Sequence, residues 1–482
     1  MSAPDALARL FGPGARRLWA RFFFGRALGM IYASVFYSLA FQIHGLIGPR
    51  GILPAREYLD AVAGEHGLAR FWAAPTLLWL GAGDGALTAL VAAGLVASLL
   101  LAFNVWPRAA AAACGILFLS FIAAAQDFAS YQSDGMLLEA TLLSLFFLPR
   151  GARPGLGASD PPSLASVLLL GWEWLRIYFE SGVVKLASGD RGWRELTALD
   201  RYYENGPLPT WLGWWVQQLP HGVHAACALA VLVIELGVVW LALAPRRFRL
   251  ACFAIVSSLQ LTIILTANYA FLNYLVLALG LMLLDDDFFA RRGWPLPPVE
   301  PRPIARWRLR LAAAVLGWIA YATVAGFFVG GEGLVGAPVR ALEPFRVASS
   351  YGLFAVMTPA RYEIELQGSR DGQNWIAYPL RYKPQDPRSA PGVFAPYQPR
   401  FEWNLWFASL GDCADSPWVE RALERLAEGS PPVLRLFASD PFAGAPPAHV
   451  RAVLWQYWFT DPATRRATGA WWRREPRGDF CP

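Results

Sequence analysis

Residues 223–244 read VHAACALAVLVIELGVVWLALA, 22 residues interrupted by a single carboxylate, Glu235, and a single imidazole, His224. The run is continuous rather than alternating, and it reaches the roughly 20 residues that a helix needs to cross a bilayer. Comparable blocks lie nearby at 250–266, 271–284 and 311–329. Across the whole chain 55% of residues are hydrophobic and 16% are charged. With a mean hydropathy of +0.34, that balance is too apolar for an ordinary globular protein. The lipid bilayer is the expected surrounding of most of the chain. Segmentation predicts about nine spans, at 27–43, 84–103, 109–125, 136–148, 164–182, 223–244, 250–266, 271–284 and 311–329.

Charge placement orients these spans. One set of alternate connections carries 17 basic residues, from Arg9, Arg16, Arg17, Arg21 and Arg26 through Arg246, Arg247 and Arg249 to six between Asp285 and Arg310; the other set carries seven. The positive-inside rule puts the N-terminus in the cytoplasm. An odd number of spans then puts the C-terminal part on the far side, the periplasm of a bacterium or the lumen of the endoplasmic reticulum. The first apolar block has no small-residue cleavage site after it and reads as a retained span. The net charge of +6 is spread over short loops without a basic, aromatic-interleaved patch, so nucleic acid is not an expected partner.

After about Glu332 the character changes. Tyr362, Ile364 and Leu366 alternate with polar residues, and Asp371-Gly372 precedes Trp375, Ile376 and Tyr378, the pattern of a hairpin. The expected architecture is therefore an α-helical multi-pass membrane domain over 1–330 plus an extramembrane, β-rich, sandwich-like domain over 331–482. Short helices are expected near 418–428 and 448–457, and the prolines between Pro295 and Pro303 mark a linker. Cys413 and Cys481 are a disulfide pair if that domain faces an oxidising compartment. Cys114, Cys227 and Cys252 sit in apolar blocks and read as inert core residues.

The polar residues at membrane depth are the candidate site. Glu173, Arg176 and Glu180 follow one another at spacings of three and four, on one helical face. In hydrocarbon such a set either pairs internally or lines a cavity. Asp84, Glu139 and Glu235, with Asp134 and Gln126, are expected to face the same cavity. Only Lys185 and Lys383 are lysines; Lys185 either reaches the interface, pairs with Glu180 or Asp190, or serves as a base. His221 and His224 are three apart, but no third ligand is identifiable, so no metal is expected. His44 is isolated and reads as structural.

The same stretch continues as Ser181-Gly182-Val183-Val184-Lys185-Leu186, Gly189-Asp190-Arg191-Gly192-Trp193, Leu196-Thr197-Ala198-Leu199 and Tyr203-Glu204-Asn205-Gly206-Pro207-Leu208-Pro209. It resembles the signature of the lipase maturation factor family. Tyr131, Gln132, Asp134 and Glu139, then Asn268, Asn273 and Leu283-Leu284-Asp285-Asp286, resemble further family blocks, with Ser133 in place of a tryptophan and Ala267 in place of a glycine. Tyr351-Gly352-Leu353-Phe354, Arg400-Phe401-Glu402-Trp403 and Trp406-Phe407 fit as well. The resemblance covers most of the chain after about residue 30.

The resemblance implies a membrane-embedded factor of the secretory pathway that assists secreted lipases or other exported clients. The chain has no nucleophile elbow of its own and no P-loop, so neither lipase chemistry nor ATP-driven remodelling is expected, and no cofactor is implied. Trp211, Trp214, Trp215, Trp403, Trp406, Trp471 and Trp472 either offer an apolar client surface or belong to the core and an interfacial belt. The alternative is an integral membrane enzyme: Lys185, Leu186, Asp190 and Trp193 also resemble a short region of vitamin K-dependent carboxylase relatives, with Glu180 and Lys185 at the outer mouth of the bundle.

Overall fold

A computed structural model describes residues 10–12, 14–299, 305–329 and 333–481. Arg9, Pro301, Arg302, Pro303 and Glu332, which enter the charge count, the linker and the domain boundary, lie outside the described residues. The helical part comprises α1 (Leu18–Ile47), α2 (Asp84–Ala102), α3 (Pro107–Ile122), α4 (Gln132–Phe147), α5 (Leu164–Ala187), α6 (His221–Leu236), α7 (Arg246–Thr266), α8 (Leu272–Gly280) and α9 (Arg306–Val329). Five stretches are long and apolar enough to cross a membrane: Leu18–Ile47, Asp84–Ala102, His221–Leu243, Arg246–Thr266 and Arg306–Phe328. Of the other helices, α3, α4 and α8 are shorter, and α5 carries Glu173, Arg176, Glu180 and Lys185.

Local sequence sets where several helices begin. Pro107 opens α3, where its missing N–H costs nothing. Ser163 caps α5 by accepting from the Ser166 amide. The cap of α1 comes from far away: Asp286 accepts from the amides of Leu18 and Trp19, each at 3.1 Å. A carboxylate at a helix N-terminus meets unpaired N–H groups and the positive end of the dipole. Asp285 beside it pairs with Arg246 at 3.1 Å and Arg249 at 2.6 Å. The Leu-Leu-Asp-Asp motif thus closes the arginine-rich end of the bundle. At two crossings glycine lets helices touch: a Cβ on Gly29 would strike the Ala102 backbone, and one on Gly182 would lie 2.9 Å from Glu235 Cβ.

In the C-terminal region β1 (Arg361–Ser369), β2 (Trp375–Ala377), β3 (His449–Phe459) and β4 (Trp472–Cys481) form one antiparallel sheet in the order β2-β1-β3-β4. The expected hairpin is present, with Ser369 opposite Trp375. Asp371 holds its turn by accepting from the Gln373 and Asn374 amides at 2.8 Å, and Gly372 takes φ +72°. Two expectations are corrected. Residues 449–459 are a central strand rather than a helix, in keeping with their β-branched and aromatic content. No second sheet is present among the described residues, so the region is not a sandwich. Helices α10 (Arg400–Ala408) and α11 (Trp418–Ala427) pack against the sheet instead, and helix-on-sheet burial meets the same need as sheet-on-sheet.

Cys413 and Cys481 are disulfide-bonded across 68 residues, tying the segment after α10 to the end of β4. Replacing both with serine should lower unfolding stability by about 2–5 kcal/mol, because a long loop in the unfolded chain is released. Thermal unfolding with and without reductant reads this directly; identical midpoints would show that the bond adds nothing. Of the free cysteines Cys114 and Cys252 are buried, whereas Cys227 is exposed on α6 and is not a core residue.

Candidate functional site

Residues 348–358 lie between α9 and β1, and a run of polar groups along that path is held by side chains of α4, α5 and the loop after α5. Glu139 pairs with Arg176 and accepts from the Ala348 amide and the Tyr351 hydroxyl, both at 3.0 Å. Arg176 donates to the Ser349 carbonyl at 3.0 Å. Glu180 accepts from the Tyr351 amide at 2.6 Å, and Gln132 accepts from the Gly352 amide at 3.0 Å. Lys185 donates to the Leu353 carbonyl at 3.1 Å, Trp193 to the Phe354 carbonyl at 2.9 Å, and Asp190 accepts from the Met357 amide at 2.5 Å. A backbone without regular structure is thereby satisfied one group at a time by side chains.

The rest of the C-terminal region is anchored in the same way. Asp134 and Arg400, each 1% exposed, form a bidentate pair with both contacts at 2.8 Å. Asn268 donates to the Gly392 carbonyl at 3.0 Å and accepts from the Phe394 and Ala395 amides at 2.7 and 3.0 Å. Glu204 accepts from the Phe459 amide at 2.6 Å, while its own carbonyl accepts from the buried Arg361 at 2.9 Å; burial pushes the Glu204 carboxyl up. Trp406 donates to the Asn205 carbonyl at 3.1 Å, and Trp403 packs on Tyr131. Within α10, Glu402 accepts from the amides of Arg381, Tyr382 and Lys383 at 2.7–2.8 Å, and its burial raises that carboxyl to about 7.

The membrane-depth carboxylates do not share one cavity. They separate into Glu139 with Glu180 and Arg176, Asp134 with Arg400, Glu235 with Lys185, and Asp84 with His44 at 2.9 Å near the surface. Glu173 is fully buried beside the first set and makes no ion pair among the described residues. Lys185 pairs with neither Glu180 nor Asp190; its ammonium lies 2.8 Å from Glu235, its partner on α6. Gly182, one turn earlier, permits that approach. Asp190 caps the short helix 191–194 by accepting from Gly192 at 2.7 Å. Gln126 lines a different cavity, beside Arg346 and Ser349. His221 meets Asp200 at 3.0 Å, whereas His224 is buried against Tyr203.

One half-open cavity does collect candidate residues. A cavity of about 470 Å³ between α5, α6, α7 and α8 is lined by Lys185, Glu235, Trp193, Tyr203 and Asn273 among many aliphatic side chains. On its wall Asn273 donates to Gln260 at 2.7 Å and Gln260 to the Tyr178 hydroxyl at 2.9 Å. The tryptophans mostly lie inside: Trp214, Trp403, Trp406 and Trp472 are buried, while Trp211 and Trp215 are about half exposed.

A family model for the lipase maturation factor transmembrane domain matches residues 19–291, and one for the lipase maturation factor C-terminal domain matches residues 347–482. The chain belongs to the lipase maturation factor family. It is an integral membrane protein with apolar helices. It is 32% identical to lipase maturation factor 2 of Gallus gallus, over 94% of this chain and 80% of that protein. It is likewise 32% identical to lipase maturation factor 2 of Homo sapiens, over 95% and 82%, and 30% identical to lipase maturation factor 1 of Bos taurus, over 95% and 87%. No solved structure matches.

The motifs that carry the lipase maturation factor resemblance are, in large part, the residues that join the helical bundle to the C-terminal region. Sequence reasoning quoted Tyr351 and Arg400 as motif residues without a role, and missed Arg361 and the amides of 348–357 as the receiving half. One signal was available. A carboxylate such as Asp134 inside an apolar block needs a buried cation, and Arg400 stands beside aromatic residues in the motif Arg400-Phe401-Glu402-Trp403.

Proposed function

We propose that this chain is a non-enzymatic maturation factor for secreted lipases or other exported proteins, working as a chaperone in the secretory pathway. A nine-span membrane domain (1–330) presents an extracytoplasmic domain (331–482) to the client. The observation that carries the reading is the fixed seating of that second domain: its polar groups are spent on holding one orientation, as a binding platform requires. The names of the relatives supply the lipase client. The membrane is that of the endoplasmic reticulum in a eukaryote or the inner membrane in a bacterium, and the 17-to-seven asymmetry in basic residues supports the orientation.

Co-expression with a secreted lipase tests this. Lipase activity per milligram should fall to the level without the factor when the chain is cut after Val329, and should survive Lys185→Met where that variant remains folded. Loss with a folded Lys185→Met would favour the enzyme reading, for which Lys185 and Glu235 at the cavity wall are the motivating observation. Sidedness is tested separately in a Cys227→Ala background. Gln373→Cys, on the exposed hairpin turn, should react with a membrane-impermeant maleimide from the extracytoplasmic side; protection there would refute the orientation.

A further inference from the structure

The cavity between α5, α6, α7 and α8 has the size of a small-ligand site, within the roughly 300–1,000 Å³ such sites span. Its walls are aliphatic, with Ile177, Val231, Ile234, Ile255, Leu259 and Ile263 prominent. It lies behind the two least covered of the candidate spans. Only 22% of the α6 window and 17% of the α7 window are buried, against 61% for α1. Apart from the 238–243 segment that joins them, these two helices touch each other sparsely. Cys227, on the exposed side of α6, also lines the cavity.

The polar groups on its wall define the head that fits. Lys185 has three protons, and they are directed at Glu235 (2.9 and 2.8 Å), the Leu353 carbonyl (3.1 Å) and the Ser181 carbonyl (3.4 Å). The Lys185–Glu235 pair is neutral as a unit. An anionic head would have to displace Glu235 and a cationic one Lys185, each leaving a charge unpaired in a dry site, which is costly. Uncharged capacity remains. The Tyr178 hydroxyl accepts from Gln260 and keeps its own proton to donate, and Asn273 gives one of its two amide protons to Gln260 and leaves its carbonyl oxygen to accept. Tyr203 also lines the wall.

We propose that this cavity binds an uncharged long-chain lipid, carrying a hydroxyl or carbonyl head, that enters from the bilayer between α6 and α7. The head meets Tyr178, Tyr203 and Asn273, and the chain lies along the aliphatic wall. The site stands independently of client maturation, so either reading can fail without the other.

The test uses the full chain in nanodiscs with a photoactivatable long-chain alcohol carrying a diazirine on its tail, and needs no lipase. Cross-links should map to α6 and α7. Unlabelled hexadecanol should compete at least about tenfold better than palmitate or hexadecyltrimethylammonium, because only the charged heads strand a charge. Monopalmitoylglycerol and geranylgeraniol, run as separate competitors, distinguish an acyl from an isoprenoid source. Val231→Phe and Ile234→Phe narrow the cavity and should cut labelling several-fold with an unchanged unfolding temperature. Should both unfold, alkylating native Cys227 with a bulky maleimide must reduce labelling instead. Equal competition by the charged lipids, or undiminished labelling of the narrowed or alkylated protein, overturns the proposal.

Discussion

Arg176→Met should cost about 3–5 kcal/mol of unfolding stability, because it strands Glu139 in a buried site where both partners are at most 2% exposed. Three carboxyls, Glu139, Glu173 and Glu180, would then share a region without a cation. The damage should be local as well as global. With the Ser349 carbonyl losing its donor and Glu139 repelled from its place, residues 348–358 should exchange their amide hydrogens faster and become open to protease. Arg176→Lys keeps the charge but loses the fork that reaches Glu139 and Ser349 together, so it should fall between the two. Hydrogen exchange by mass spectrometry on the purified protein decides it, and unchanged protection across 348–358 would show that the path is held by something other than this cluster.

Asp134→Ala should be comparably severe, about 3–5 kcal/mol, since Arg400 is left charged and 1% exposed. Arg400 keeps the Phe128 carbonyl at 2.8 Å and the faces of Phe121 and Tyr131 at 5.2 Å, which offset only part of the loss. Combining Asp134→Leu with Arg400→Met removes both charges and should be less destabilising than Asp134→Ala alone. A double-mutant cycle on unfolding midpoints measures that difference. Simple additivity would mean that the pair is not coupled and would defeat the account of how α10 is seated on α4.

The two expectations share a cause that also explains why lipase maturation factor motifs were recognisable before their roles were. Asp134, Glu139, Glu180, Lys185, Glu204 and Asn268 stand out in sequence because polar groups in apolar surroundings are expensive. That expense says only that each has a partner, not which. The cavity expectation failed for this reason: it grouped carboxylates by depth, whereas packing of α4, α5 and α6 sends them to different partners. The tryptophans, read as either client surface or core, divide between the two for the same reason, because solvent exposure depends on what lies opposite. Trp214 is covered by Trp471 and Arg465, while its neighbour Trp215 remains half exposed.

By itself the sequence determined the apolar helices, the hairpin around Asp371-Gly372 and the family, because hydrophobic periodicity, turn chemistry and motif order are local properties. The tertiary structure alone decided that Arg176 pairs with Glu139 across 37 residues, Lys185 with Glu235 across 50 and Arg400 with Asp134 across 266. It also decided that 449–459 is a central strand, because β1 and β4 lie on either side to receive its hydrogen bonds. The physical reason is common to all of these. A buried charge or an unpaired strand is satisfied by whichever group the packing of distant elements brings within reach, and no local pattern records that choice.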